Sequence, residues 1–187
     1  MSGRVLVVDA DYDTLDALAN AIRARGHHVA LARDGALGAL MKGSLHTDEL
    51  MSEVVSKETG LRTARRLSHV FMADVPTYPH PLLITDAAIN IEPSLADKVH
   101  IIQNAIELAI MMGVPEPKVA ILSAVETVNE KIRSTLDAAA LCKMADRGQI
   151  KGGLLDGPLE AIQGRSIEGT KQLVETANFW IFVRAQL

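Results

Sequence analysis

The chain has 187 residues, 48% of them hydrophobic, and a formal charge of −4, which suits one sizeable folded domain or two small ones and excludes a disordered polymer. Aromatic residues make up 3%, too few for a stacking surface that binds single-stranded nucleic acid, and the acidic balance excludes a general polyanion binder. One cysteine, Cys142, rules out an intrachain disulfide framework and a cysteine-cluster zinc site. No apolar run reaches the roughly 18 residues of a membrane helix, and Met1-Ser2-Gly3-Arg4 lacks the layout of a signal peptide. The expectation is a cytoplasmic protein without membrane or nucleic-acid partners.

Arg4 to Val8 is a short β-branched run that predicts a buried strand, ended by Asp9, Asp11 and Asp13. Leu15, Leu18 and Ile22 follow at helical spacing, Gly26 stops that helix, and His28 to Leu31 reads as a second strand, so the opening is a βαβ unit. The pattern loosens from Asp34 to Gly43. A helix then runs from about Asp48 to Ser56 with Thr47 as its cap. His69 to Val75 and Pro81 to Thr85 read as strands on either side of a proline-rich loop. Ser94 and Asp97 form a capping box that opens a helix carrying Leu95, Val99, Ile102, Ile106 and Ile110 on one stripe, closed by Gly113. Lys118 to Leu122 predicts a buried strand. Asn129 caps a helix through Ile132, Leu136, Ala140 and Met144, stopped by Gly148, and Gly152 to Leu155 is a core strand ending at Asp156. Glu168 to Leu187 reads as a helix whose end, Phe179 to Val183, has the composition of a strand. The class is α/β, a parallel or mixed sheet with helices on both faces, in which ligands gather at the carboxyl ends of the strands.

Two places carry candidate chemistry. Asp9 and Asp11 end a strand where paired carboxylates could hold magnesium, and residues 4–35 resemble the start of a two-component receiver, although Ala10 separates the acids and no phospho-accepting aspartate follows. The plainer reading is that Asp11 and Asp13 suit a helix start. Met41 to Thr47 places a lysine, a glycine and hydroxyls before a helix, which is an anion cradle by chemistry or a simple cap. Arg62, Arg65 and Arg66 form a basic cluster. Of these, Arg65 and Arg66 read as solvated, as do His27, His28 and His100, while Cys142 reads as inert packing.

The stretch from Ala39 through Met51 resembles the phosphate acetyltransferase and phosphate butyryltransferase family. The resemblance continues through His69 to Met72, Leu83 to Pro93, Lys118 to Asn129 and Gly152 to Leu159, in order over about 39–159. It implies reversible acyl transfer, acyl-CoA plus phosphate giving acyl phosphate plus coenzyme A, on part of an isocitrate dehydrogenase-like fold with its site between two α/β domains. Coenzyme A and phosphate enter as substrates, with no permanently bound cofactor and no metal. On this sequence it assigns substrate contacts to Lys42, Gly43, Ser44, His46, Thr47, Arg62, Asp86, Asn90, Glu126, Asn129 and Gly157, and catalytic roles to Ser123 and Asp156. Asp86 and Asn90 have an alternative use in bonding the turn that carries them.

The implied organisation is a receiver-like segment at 1–38, the acyltransferase-like region at 39–160, and a helix or strand at 161–187 completing the core. The family continues past the Asp156-Gly157 block with an acid-bearing helix, whereas this chain reads Glu160-Ala161-Ile162-Gln163. Weak or absent acyltransferase activity with residual binding of phosphate or coenzyme A is therefore expected, and self-association would cover exposed apolar surface. The alternatives are a non-catalytic signalling or scaffold protein with a degenerate receiver-like sheet, or an inactive chimera.

Overall fold

The computed structural model describes residues 5–8, 39–42, 46–58, 60–74, 81–86, 88–160 and 180–184. The chain divides into two compact units, Met1–Arg65 and Arg66–Leu187, a boundary that runs through the region 39–160.

In the first unit, β1 (Val5–Val8) pairs in parallel with β2 (Ala39–Lys42), in register from Val5 opposite Ala39 to Val8 opposite Lys42. β1 is where its branched residues predict it. β2 falls in the stretch that reads as loosened, because Ala-Leu-Met-Lys holds no β-branched residue and gains its strand character from the neighbour. The helix and strand expected over 15–31, with Asp9, Asp11 and Asp13, lie outside the described residues. Helix α1 (Thr47–Val54) has His46 at its N-cap with no side-chain bond, so Thr47 is the first helical residue rather than the cap. Asp48 and Glu49 in the first turn supply the negative charge that the helix start favours.

The second unit is built on a mixed sheet in the order β3-β4-β7-β5-β6. Its strands are β3 (Val70–Ala73), β4 (Leu82–Thr85), β5 (Lys118–Ser123), β6 (Leu154–Glu160) and β7 (Trp180–Arg184). β3 is antiparallel to β4, and the other pairs are parallel. The carboxyl ends of four strands therefore share one edge with the start of β3. The end of the C-terminal stretch resolves as a strand, β7, in the middle of this sheet; the rest of its expected helix lies outside the described residues.

Alternation along the strands sends Leu83, Val119, Ile121, Ile181 and Val183 to one face, where they are buried against Ile102, Ala105 and Ile106 of α2 (Leu95–Met111) and Ala138 and Leu141 of α3 (Arg133–Asp146). Ala120 packs with Leu82, Leu122, Leu159 and Phe182 on the other face. Among the described residues both long helices lie on the first face, where helices on both faces were expected. None of the described helices is long and apolar enough to cross a membrane.

Both helices are rotated from their apolar stripes. α2 opens on the expected capping box: Ser94 Oγ accepts from the Asp97 N–H at 3.2 Å, and Asp97 accepts from the Ser94 N–H at 3.0 Å. Its buried side, however, runs Lys98, Ile101, Ile102, Ala105, Ile106 and Ala109, and Ile110 is exposed. α3 buries Ser134, Thr135, Asp137, Ala138 and Leu141 while Leu136 faces out. Its N-cap is Ile132 rather than Asn129. Asn129 instead closes the preceding turn, its Oδ1 accepting from the Lys131 N–H at 3.0 Å and its carbonyl from Thr135 Oγ1 at 2.9 Å.

β6 starts two residues later than the composition suggests and runs on to Glu160. Its register against β5 slips between Ala120 and Leu122, where Gly157 and Pro158 form a bulge on an edge strand that tolerates a residue without an N–H. A Cβ at Gly157 would stand 2.9 Å from Ile121 Cβ and from the Ile121 carbonyl oxygen. Gly157→Ala is accordingly expected to destabilise the second unit by about 1–3 kcal/mol through overpacking, read as a lower urea midpoint in the fluorescence of Trp180.

Candidate functional site

β4 and β5 end, and α2 and α3 begin, at the same edge of the sheet. Between the two helix starts is a cleft of about 290 Å³, lined by Glu92 and Pro93 ahead of α2, by Lys98 on it, and by Lys131 through Ser134 at the start of α3. Lys98, Lys131 and Arg133 line it together with the Glu92 carboxylate, and the start of α3 adds positive potential.

Lys98 reaches it from the first turns of α2 and is 4% exposed. Its Nζ donates to Asp137 Oδ2 at 2.6 Å, and Arg133 Nε lies 4.0 Å from the same oxygen. One of the three ammonium donors is thus committed to Asp137. Ser123, the last residue of β5, is buried, and its hydroxyl shares a 2.6 Å bond with the hydroxyl of Ser134, which lines the cleft. Ser123 is thus linked to the cleft through Ser134.

A second cluster follows β4. Asp86 Oδ1 accepts from the N–H groups of Ala88 and Ile89, each at 3.0 Å. Oδ2 accepts from the His69 N–H at 3.2 Å and from the Asn90 amide. Burial pushes this carboxyl up, but the N–H groups of Ile89 and Ala88, the Asn90 amide and the His69 N–H outweigh it and hold the pKa below its ordinary value. All four acceptor positions are occupied, so Asp86 shapes the turn. Asn90 also donates to the Leu67 carbonyl at 3.0 Å, and its Oδ1 accepts from Arg66 Nε at 2.6 Å. Arg66 Nη1 stands 3.3 Å from Asp97 Oδ1. The Arg66 N–H donates to His100 Nδ1 at 3.1 Å, so His100 is a structural acceptor where solvent exposure was expected. Asp97 titrates below its ordinary value, held down first by the Ser94 side chain and main chain and further by Arg66.

The other expected residues are dispersed. Asp156 lies within β6 opposite Ala120, three residues before the edge residue Ser123, and its Oδ1 accepts from the Gly157 N–H at 2.9 Å. Ser123 is instead opposite Glu160. The structure therefore does not bring Ser123 and Asp156 together. Gly157 serves close packing, Asn129 the turn before α3, and Glu126 is half-buried in that loop. His46, Thr47 and Arg62 are exposed in the first unit, where Lys42 is the last residue of β2; Gly43 and Ser44 lie outside the described residues. Cys142 is half-buried, and desolvation followed by the charges of Asp156 and Asp146 pushes its thiol up to about 11, which makes it a poor nucleophile. Among the described residues no cluster of three histidine, cysteine or acidic side chains is arranged for a metal ion.

Lys98, Arg133, Ser134 and Asp137 escaped the sequence reading. The available signal was a charge at one position of each apolar helix face, which has meaning only once the two helices are known to meet.

The second unit is thus an α/β sheet whose edge of parallel strand ends carries helix starts around a cation-lined cleft. Residues 17–163 match the family model described as phosphate acetyl/butaryl transferase, and the chain belongs to that family. It is 66% identical over 131 residues to a phosphate acetyltransferase from Rhizobium meliloti, covering 70% of this chain and 42% of that protein. It is 44% identical over 131 residues to a phosphate butyryltransferase from Clostridium acetobutylicum, covering 70% and 44%. In structure it resembles a branched-chain phosphotransacylase from Enterococcus faecalis V583 with a TM-score of 0.73 at 27% identity, over 98% of this chain and 69% of that one. The chain spans about two fifths of the length of the curated relatives it matches. The family match reaches back to residue 17, so residues 17–38, read as receiver-like, are acyltransferase-family sequence.

Proposed function

We propose that the second unit carries an anion-binding cleft of a phosphate acyltransferase, which interconverts acyl-CoA plus phosphate with acyl phosphate plus coenzyme A. The observation that carries this reading is the cleft between the starts of α2 and α3, where Lys98, Lys131 and Arg133 meet the Ser134 hydroxyl in a chain of this family. In the forward direction a phosphate oxygen attacks the thioester carbonyl, the carbon–sulfur bond breaks, and the thiolate leaves to be protonated by solvent. Lys98 supplies charge to phosphate at a fixed position because Asp137 holds it. Ser134, oriented by Ser123, and the N–H groups that open α3 are donors for the oxyanion that develops on the acyl carbon.

Asp86 and Asn90 enter this proposal as shaping residues. Lys42, Gly43, Ser44, His46, Thr47 and Arg62 enter it as phosphate contacts supported by the family resemblance of their block. Glu126 and Asn129 position the approach to α3, and Asp156 has no part in the cleft. Self-association into a homo-oligomer and a cytoplasmic setting belong to the same reading.

The test is thiol release from acetyl-CoA and butyryl-CoA with and without inorganic phosphate, together with a calorimetric titration of phosphate. Saturable phosphate binding with phosphate-dependent thiol release is expected. Thiol release unaffected by phosphate, with no phosphate binding, would overturn the reading.

A further inference from the structure

We infer that Arg66 is a second phosphate-binding residue of this reaction, held in position by a hydrogen-bonded relay from Asp86 through Asn90; the inference rests on the acyltransferase reading above. The cluster is more elaborate than a surface arginine requires. The main chain of Arg66 is fixed at both ends by α2, its N–H donating to His100 Nδ1 at 3.1 Å and its carbonyl accepting from Asn104 Nδ2 at 3.0 Å. Its guanidinium is fixed at Nε by Asn90 Oδ1 at 2.6 Å and at Nη1 by Asp97 Oδ1 at 3.3 Å. Asn90 is fixed in turn by Asp86, a carboxylate whose four acceptor positions are filled and which stays ionised at neutral pH.

At the end of this relay the guanidinium side chain is 52% exposed, and Nη2 meets no partner among the described residues. A guanidinium whose rotamers are already fixed loses little freedom on taking up an anion, and its planar fork matches two oxygens of a phosphate group. Asn90 and Asp97, which hold the fork, stand in sequence on either side of Glu92 and Pro93, two residues of the cleft lining. Arg66 reads as solvated from sequence alone because Asn90, its closest partner, is 24 residues away.

The experiment compares the parent chain with Arg66→Ala, Arg66→Lys and the exposed control Arg147→Ala, measuring affinities for inorganic phosphate and for coenzyme A by calorimetry and the urea midpoint through Trp180. Loss of a charge-assisted pair is expected to weaken phosphate binding by about 10- to 100-fold in Arg66→Ala. Arg66→Lys should fall between that variant and the parent, because it keeps the charge and loses the fork. Coenzyme A affinity and the control should stay within about two-fold of the parent, inside the usual spread for a distant surface change. Phosphate affinity within two-fold of the parent in both Arg66 variants overturns the assignment. So does an equal loss for phosphate and coenzyme A that follows a lowered urea midpoint, which is the signature of a structural staple. A parent chain that binds neither ligand overturns the acyltransferase reading itself, and Arg66's role with it.

Discussion

Lys98→Ala is expected to destabilise the second unit by about 3–5 kcal/mol, because it strands the Asp137 carboxylate in a buried site with only Arg133 at the limit of ion-pair range. The gross attraction of a buried pair is offset by the desolvation of both ions, so removing one partner costs far more than removing both. Lys98→Met combined with Asp137→Leu should therefore recover most of the loss and unfold within about 2 kcal/mol of the parent. The recovery separates two roles that the single substitution confounds. If Lys98 serves substrate, the repaired double variant still loses about ten-fold or more in phosphate affinity, the magnitude of one charged hydrogen bond. If the pair is only a core device, the double variant binds phosphate as the parent does. Trp180 is the sole tryptophan and lies in β7 of the same unit, so its fluorescence reports the relevant transition.

Asp86→Ala removes the acceptor for three backbone N–H groups and the Asn90 amide at once, and about 3 kcal/mol or more of stability should go with it. Asp86→Asn has a distinct pH signature. The folded carboxyl titrates below its ordinary value of 3.8, so its contribution to stability is complete above that pH and is lost as the pH falls through the lower folded value. The stability gap between parent and Asp86→Asn should accordingly be full at pH 7 and narrow progressively below pH 3.8. A gap that stays constant from pH 7 to pH 3 would show that the carboxylate charge has no part in holding the turn. Since Asn90 and Arg66 depend on Asp86, both variants should also weaken phosphate binding without affecting the cleft cations directly.

What could be read from the chain and what could not divide along the range of the interactions. The capping box of Ser94 and Asp97, the buried runs of β4 and β5 and the positions of both long helices are set by neighbours within a few residues, and all are legible. β2 is not, because Ala-Leu-Met-Lys takes strand form from pairing with β1, more than thirty residues earlier. The buried sides of α2 and α3 are illegible for a related reason. An apolar stripe assigns Lys98 and Asp137 to solvent, whereas the two charges are buried because they meet each other across 39 residues of sequence. The same holds for Arg66, whose partners come from the turn after β4 and the first turn of α2. The place of Ser123 at the end of β5 is legible from the run that precedes it. The place of Asp156 along its strand is not legible, because Gly152 and Gly153 resemble a strand start, while β6 begins at Leu154 and passes through Asp156 to Glu160. The family blocks identify the family of the chain, yet the residues that line the cleft lie partly between them.

The most direct test of the central claim is an amide NMR titration of the parent chain with inorganic phosphate. Binding in the cleft predicts saturable shifts concentrated at residues 92–98 and 131–135, with smaller shifts at Arg66 and Leu67. Saturable shifts centred instead on β6 around Asp156, or no saturable shift at all, would contradict it.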